Sequence, residues 1–311
     1  MTVPQDVIGV DVAKGWIDIF TLSSRKYERI FTTKQALARF ATTAAGAMVV
    51  CEASGGDERP LIEALAKAGV ACARVNPRQA REFAHATGRL ARTDRVDAEA
   101  LARMRAAISP EPTSPVDPGR ARLAELVARR DGLVASIGRE KSRARTTADI
   151  WITRDIAQLL RAPQAHLKAV EGQIATQIDA CAALAGDQRR LITVPGIGPA
   201  LSAALIAHLP ELGQLDHRGI VSLAGLAPHA CDSGTHRDKR RVWDGRADVR
   251  RTLSLAAFIA NRYDLTIRTF RKRLQDAGKP AKTAITACAC KLLTILNAML
   301  RNKQDYRNQA V

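Results

Sequence analysis

Four acidic residues and one serine carry the chemistry this sequence can offer. Asp94 and Asp97 lie in Thr93-Asp94-Arg95-Val96-Asp97-Ala98-Glu99-Ala100-Leu101. In a helix their spacing puts both on one face. Thr93 or Asp94 can cap that helix, and Val96, Ala100 and Leu101 give it an apolar stripe. Two carboxylates about 5 Å apart repel by roughly 3 kcal/mol at an effective dielectric near 20. Water and the arginines at 92, 95 and 103 relieve this on a surface; a divalent cation relieves it in a site. Asp11 stands inside the apolar run Val7-Ile8-Gly9-Val10-Asp11-Val12, and Glu52 directly follows Ala47-Met48-Val49-Val50-Cys51. A buried Asp in a strand is costly unless paired or bound to metal. Asp11, Glu52, Asp94 and Asp97 together form a carboxylate cage of the hard-oxygen type that suits Mg²⁺. The plain alternative is a cap, a solvated helix face and two strand-end acids.

Ser233 lies in Asp232-Ser233-Gly234, followed by Arg237, Lys239, Arg240, Arg241, Arg246, Arg250 and Arg251. A serine beside a glycine, with cations after it, suits a loop that meets a phosphodiester. Its hydroxyl needs activation to act as a nucleophile. Asp-Ser-Gly is also a common turn.

The elements that must position these groups follow from the hydrophobic pattern. Val7–Val12, the alternating Trp16–Leu22 and Lys26–Thr33 predict a three-strand meander. Residues 34–45 predict a helix, 47–51 a short buried strand ending at Glu52, 60–68 a helix and 71–75 a further strand. Helices follow from Pro77 and from Asp94. This is the element order of a ribonuclease-H-like fold, and strand C-termini in open α/β sheets are where ligands gather. Prolines 110, 112, 115 and 118 mark a linker. The predicted organisation is an α/β domain over 1–108, a Pro-rich linker over 109–120, a coiled coil or helical hairpin over 121–186, and a helical C-terminal domain over 187–311.

Within 121–185, Leu123, Leu126, Leu133 and Ile137 follow a heptad, as do Leu167, Val170, Ile174 and Cys181. The bend is expected at Ala162-Pro163. An intramolecular hairpin and a dimerising coil both fit. Residues 191–208, with Pro195-Gly196-Ile197-Gly198-Pro199, resemble the hairpin of a helix-hairpin-helix module. There Gly196 and Gly198 let backbone amides approach a phosphate at the next helix N-terminus; a plain turn between helices is the alternative.

The net charge of +17, from 48 basic and 31 acidic residues, points to a polyanionic partner. Residues 231–311 hold 18 Lys and Arg against 7 Asp, with Arg268, Arg271, Lys272 and Arg273 forming a second cluster. No apolar run reaches the roughly 18 residues of a membrane span, and the N-terminus lacks a signal-peptide pattern. Nucleic acid in the cytoplasm is the expected partner, with no membrane. The six cysteines (51, 72, 181, 231, 288, 290) show no zinc-ligand spacing and read as reduced thiols.

In order, Gly9-Val-Asp11-Val-Ala-Lys, Glu52-Ala-Ser-Gly-Gly, Val75-Asn76-Pro77-Arg78-Gln79 and Arg92-Thr93-Asp94-Arg-Val-Asp97-Ala98 resemble the motifs of the DEDD transposases of the insertion sequence 110 family. The resemblance continues through Pro195-Gly196-Ile-Gly198, Ala224-Gly225-Leu226-Ala227-Pro228, Ser233-Gly234, Gly245-Arg246-Ala-Asp-Val-Arg250-Arg251 and Lys291-Leu292-Leu293. It implies a RuvC-like domain whose four acids match Asp11, Glu52, Asp94 and Asp97 and hold Mg²⁺ or Mn²⁺. It also implies a central coiled coil and a C-terminal transposase domain whose serine nucleophile matches Ser233. The implied partners are double-stranded target and donor DNA and a bridge RNA. The implied assembly is a homodimer that pairs into a tetramer, with acids and serine from different subunits, acting in the bacterial cytoplasm on the nucleoid. The sequence departs from the family's commoner pattern at Arg92, Arg246 and Ser254, none of which removes a catalytic group. A metal-only endonuclease or junction resolvase, with water attacking, and a non-catalytic nucleic-acid-binding protein are the alternatives.

Overall fold

The computed structural model describes residues 6–88, 93–110, 112–113, 117–229, 232–233, 236–237, 241–242 and 245–307. The chain divides into two compact units, Met1–Val116 and Asp117–Val311.

The first unit is built on one five-stranded mixed sheet. Its strands are β1 (Val7–Val12), β2 (Trp16–Thr21), β3 (Lys26–Phe31), β4 (Met48–Glu52) and β5 (Ala71–Val75), in the order β3-β2-β1-β4-β5. The β1–β2 and β2–β3 pairs are antiparallel, while β1–β4 and β4–β5 are parallel. Helices α1 (Lys34–Thr43), α2 (Arg59–Lys67), α3 (Pro77–Ala86) and α4 (Asp94–Ile108) complete the unit. Because side chains alternate across a strand, each strand feeds two cores. Ile8, Val10, Ile17, Ile19, Val49 and Cys51 pack with Leu37 and Phe40 of α1 and Leu61 and Leu65 of α2. On the opposite face, Met48, Val50, Ala73 and Val75 pack with Ala80, Leu101 and Met104, and Phe20 packs with Ala98 and Ala102. Covering both faces explains why these strands read as nearly continuous apolar runs.

Gly9 decides how closely α4 can approach. A Cβ at this position would lie 2.0 Å from the carbonyl oxygen of Ala98 and 2.5 Å from the amide nitrogen of Ala102. Only a residue without a side chain lets the helix backbone rest directly on β1.

Among its described residues, the second unit is helical apart from a short ribbon of two antiparallel strand pairs. It opens with a long antiparallel pair, α5 (Pro118–Thr146) and α6 (Ile150–Asp179). Asp117 caps α5 by accepting from the Arg120 amide, and Pro118 occupies its first position. The turn of the pair lies at Thr147–Asp149, not at Ala162-Pro163 as the sequence predicts; Pro163 sits inside α6. Asp149 fixes the turn by accepting from the Ile152 amide at 2.9 Å. The helix survives its proline because Leu160 before it and Leu167 after it both pack against Ile137 and Ile156. At the other end of the pair, Leu123, Val127, Ile174 and Ile178 join the core of the remaining helices.

Those helices are α7 (Ala182–Ile192), α8 (Pro199–His208), α9 (His217–Leu223), α10 (Ala247–Tyr263), α11 (Leu265–Asp276) and α12 (Ala281–Asn302). Between α9 and α10 run four two-residue strands: β6 (Pro228–His229), β7 (Asp232–Ser233), β8 (His236–Arg237) and β9 (Arg241–Val242). By length and composition α12 is apolar enough to span a membrane, which a search for uninterrupted apolar runs overlooks. Its Cys288, Leu292, Leu293 and Leu296 are buried in the core of the second unit, which accounts for the composition of this helix.

Candidate functional site

Strand register brings the acids of the first unit together. Gly9 pairs with Val50 and Val10 with Cys51 in the parallel β1–β4 ladder, so Asp11 and Glu52 come next, side by side. On the other side of β1, Asp11 pairs with Asp18 of β2, and Asp18 pairs with Arg29 of β3. Side chains opposite one another in a ladder share a face. Arg29, Asp18, Asp11 and Glu52 therefore form a charged row across four strands. It lies on the face that carries Gly9, the face covered by α4. The first turn of α4 adds Asp94 and Asp97, with Thr93 as cap accepting from the Val96 amide.

The electrostatics record this convergence. The Asp11 carboxyl is pushed up from 3.8 to about 7, first by burial and then by Glu52, Asp97, Asp94 and Asp18. Glu52 is also raised, first by burial and then by Asp97, against a counteracting pull from Arg81. Proximity is nevertheless not ligation: among the described residues, no three His, Cys, Asp or Glu side chains stand close enough together to hold a metal ion as placed. Charge acts over a longer range than a coordination bond, so the two observations are compatible. Within this group, Asp94 accepts from Nη2 of Arg29 at 2.6 Å.

The loop after Glu52 has its own brace. Glu58 is buried and accepts from the Gly56 amide at 2.8 Å and from the amide and hydroxyl of Ser54 at 3.2 Å, while Arg74 donates to it at 3.2 Å. Burial raises its carboxyl, but these hydrogen bonds outweigh burial and hold it below the usual carboxylate range.

Sequence reasoning singles out neither Asp18, Arg29 nor Glu58. Asp18 sits in an alternating strand, where a polar residue reads as facing water; the structure buries it fully. The available signal is its pairing partner, since Asp11 and Asp18 fall opposite once the first hairpin is laid out.

In the second unit Ser233 ends the outgoing arm of the ribbon. Ser233 pairs with His236, Asp232 with Arg237, and farther back Pro228 with Val242 and His229 with Arg241. Lys239 and Arg240 lie outside the described residues, and only the backbone is described for Arg237 and Arg241. Three cations expected at nucleic acid have partners within the protein. Arg246 is built into the fold: it grips Glu211 with two bonds of 2.6 Å and donates to the His208 carbonyl at 2.8 Å. Arg250 donates to the Gly225 carbonyl at 3.2 Å, and Arg251 reaches Asp131 at 2.9 Å while remaining largely exposed.

The glycines of the α7–α8 turn differ from one another. A Cβ at Gly196 would lie 2.7 Å from the amide nitrogen of Ala260 in α10, so contact with α10 alone requires a glycine there. Gly198, the N-cap of α8, has open space beside it.

Comparison with known proteins gives the family. Residues 8–151 match a family model of the DEDD transposase domain of IS110 elements, described as Transposase. Residues 188–273 match the model described as Transposase IS116/IS110/IS902 family. The pilin gene-inverting protein of Moraxella bovis is 27% identical over 237 residues, spanning 75% of this chain and 73% of that protein. The 43.6 kDa protein of insertion element IS110 from Streptomyces coelicolor is also 27% identical, over 52% of this chain and 40% of its own length. The 42 kDa protein of insertion element IS900 from Mycobacterium paratuberculosis is 31% identical over 37% of this chain and 30% of its own length.

Proposed function

Because this chain belongs to the IS116/IS110/IS902 family of transposases, we propose that it cuts and rejoins DNA through a covalent link between Ser233 and a DNA 5′ phosphate. A divalent cation, Mg²⁺ or Mn²⁺, held by Asp11, Glu52, Asp94 and Asp97 assists. The observation that carries the cation reading is the acid row beneath the first turn of α4, which lifts Asp11 to about 7. Four hard oxygen donors with no soft ligand among them match the preference of such an ion. When bound, the cation neutralises the scissile phosphate and polarises it toward attack.

The chain's own groups do the rest. The Ser233 hydroxyl attacks phosphorus and loses its proton, the bond from phosphorus to the 3′ oxygen breaks, that oxygen takes up a proton and leaves as a 3′ hydroxyl, and the strand is held as a 5′-phosphoserine. Cations of the ribbon arms stabilise the charge that builds up on the phosphate oxygens. The covalent link conserves the phosphodiester, so rejoining needs no external energy. The relative from Moraxella bovis is named for inverting a pilin gene, an outcome that requires cutting and rejoining at both ends of a segment.

The same reading includes a RuvC-like first domain, a coiled-coil role for α5 and α6, and a bridge RNA that selects target and donor DNA by base pairing. It also includes a homodimer that pairs into a tetramer, in which acids of one subunit meet the serine of another. Labelled DNA containing the element ends tests the chemistry. The wild type should form a covalent adduct that Ser233→Ala abolishes; an adduct that persists overturns the serine assignment. Asp11→Asn and Glu52→Gln should stop cleavage while leaving DNA binding intact, and unchanged cleavage overturns the cation site. Sequencing of copurifying RNA should recover transcripts of the DNA flanking the gene; their absence overturns the guide.

A further inference from the structure

Arg29 is held from several sides within the acid group. Its Nε donates to Oδ1 of Asp18 at 2.9 Å and its Nη2 to Oδ2 at 3.0 Å. The same Nη2 donates to Oδ2 of Asp94 at 2.6 Å. The Trp16 ring lies 5.3 Å from the guanidinium carbon. Asp18 is fully buried and also accepts from the Tyr27 hydroxyl, and Arg95 of α4 sits 5.4 Å from the Tyr27 ring. The anchor therefore cannot drift: a forked pair with a buried carboxylate fixes the guanidinium plane. From that plane one bond reaches a single oxygen of Asp94, a side chain that is half exposed.

We propose that Arg29 is a positioning residue for the cation site: anchored on Asp18, it sets the direction in which Asp94 presents its other oxygen, Oδ1. The proposal rests on the cation reading above. Hydrogen bonds behind ligating carboxylates orient them, and losing such a partner costs about 10–100-fold in metal affinity. Lysine cannot replace the arginine, because an ammonium has no planar fork to grip Asp18 while reaching Asp94.

The test is Mn²⁺ titration of the full-length chain by calorimetry, at fixed pH and well below the melting temperature of every variant. Wild type should bind, and Asp11→Asn should remove binding. Arg29→Lys should weaken Mn²⁺ by about 10-fold or more. In an Asp94→Asn background the same lysine should cost nothing further, because the group it positions is gone. A merely structural arginine would lower affinity equally in both backgrounds. If Arg29→Lys does not fold, Asp18→Asn carries the test, since it loosens the anchor without leaving a buried charge. Unchanged Mn²⁺ affinity in the folded variant, or an equal loss in both backgrounds, overturns the proposal while the cation reading stands. Wild type that binds no Mn²⁺ overturns both.

Discussion

Asp11 sits in a field of like charge that the fold alone does not relieve. Its folded-state carboxyl titrates near 7, against 3.8 in an unfolded chain. A raised acid binds more protons folded than unfolded, so stability falls as pH rises between these values. Glu52 shifts in the same direction. Glu58 shifts the other way, so its contribution is lost only as pH falls below the usual 4.5. Without divalent cations, these carboxyls should therefore lower the melting temperature from pH 5 to pH 7.5, against an opposite contribution from His208, whose imidazole burial pushes down. Asp11→Asn should flatten that decline, and millimolar Mn²⁺ should reverse it in the wild type only. Thermal unfolding at several pH values, in EDTA and with Mn²⁺ in its place, reads all three; a wild-type melting temperature that does not fall over this range relative to Asp11→Asn contradicts the burial of charge at Asp11. Asp11 is conspicuous in the sequence, because a carboxylate inside an apolar run is an anomaly. Asp18 and Arg29 are not: strand alternation supplies each with an innocent place, and only register reveals that they stand in line with Asp11.

At the scale of elements two backbone facts stand out, one in each unit. The first is the seat of α4 on Gly9. Gly9→Ala puts a methyl within 2.0 Å of the Ala98 carbonyl oxygen, so the helix must lift. Overpacking of this kind costs about 1–3 kcal/mol. Since Asp94 and Asp97 ride on that helix, urea unfolding should show the loss and Mn²⁺ binding should fall with it. Mn²⁺ affinity that survives the stability loss would separate the helix seat from the site. The second fact is the turn of the α5–α6 pair. Proline is the strongest helix breaker in the sequence pattern, yet the chain turns at Asp149, whose side chain caps the next helix. A cap that fits outcompetes a proline whose helix is held by packing on both sides. Pro163→Ala should accordingly stabilise the protein, by up to about 3 kcal/mol, where a proline at a true bend would be neutral or stabilising. The strands and helices of the first unit are legible because period-two alternation, apolar runs and capping residues agree there. The hairpin turn is not, because two punctuation signals compete and only packing decides between them.

At the scale of the whole molecule, charge is read more easily than its use. The excess of +17 and its concentration in residues 231–311 are plain in the sequence, and they predict DNA affinity that falls steeply with salt. Which cations make that slope requires the structure. Arg246 has the surroundings of a phosphate ligand in sequence, but its guanidinium is committed to Glu211 and a main-chain carbonyl. Lys272 and Lys282, by contrast, are exposed. Lys272→Gln and Lys282→Gln should each reduce the slope of log affinity against log salt by about 0.9 while leaving stability within about 0.5 kcal/mol. Arg246→Gln should do the reverse. It strands the Glu211 carboxylate and one carbonyl, lowering stability by about 1–3 kcal/mol, and leaves the slope unchanged at temperatures where the variant is folded. Binding to one duplex at four salt concentrations, paired with urea unfolding of the same three variants, separates the two roles. A slope that drops for Arg246→Gln and not for the lysines would place the DNA contact at the ribbon base instead of along α11 and α12.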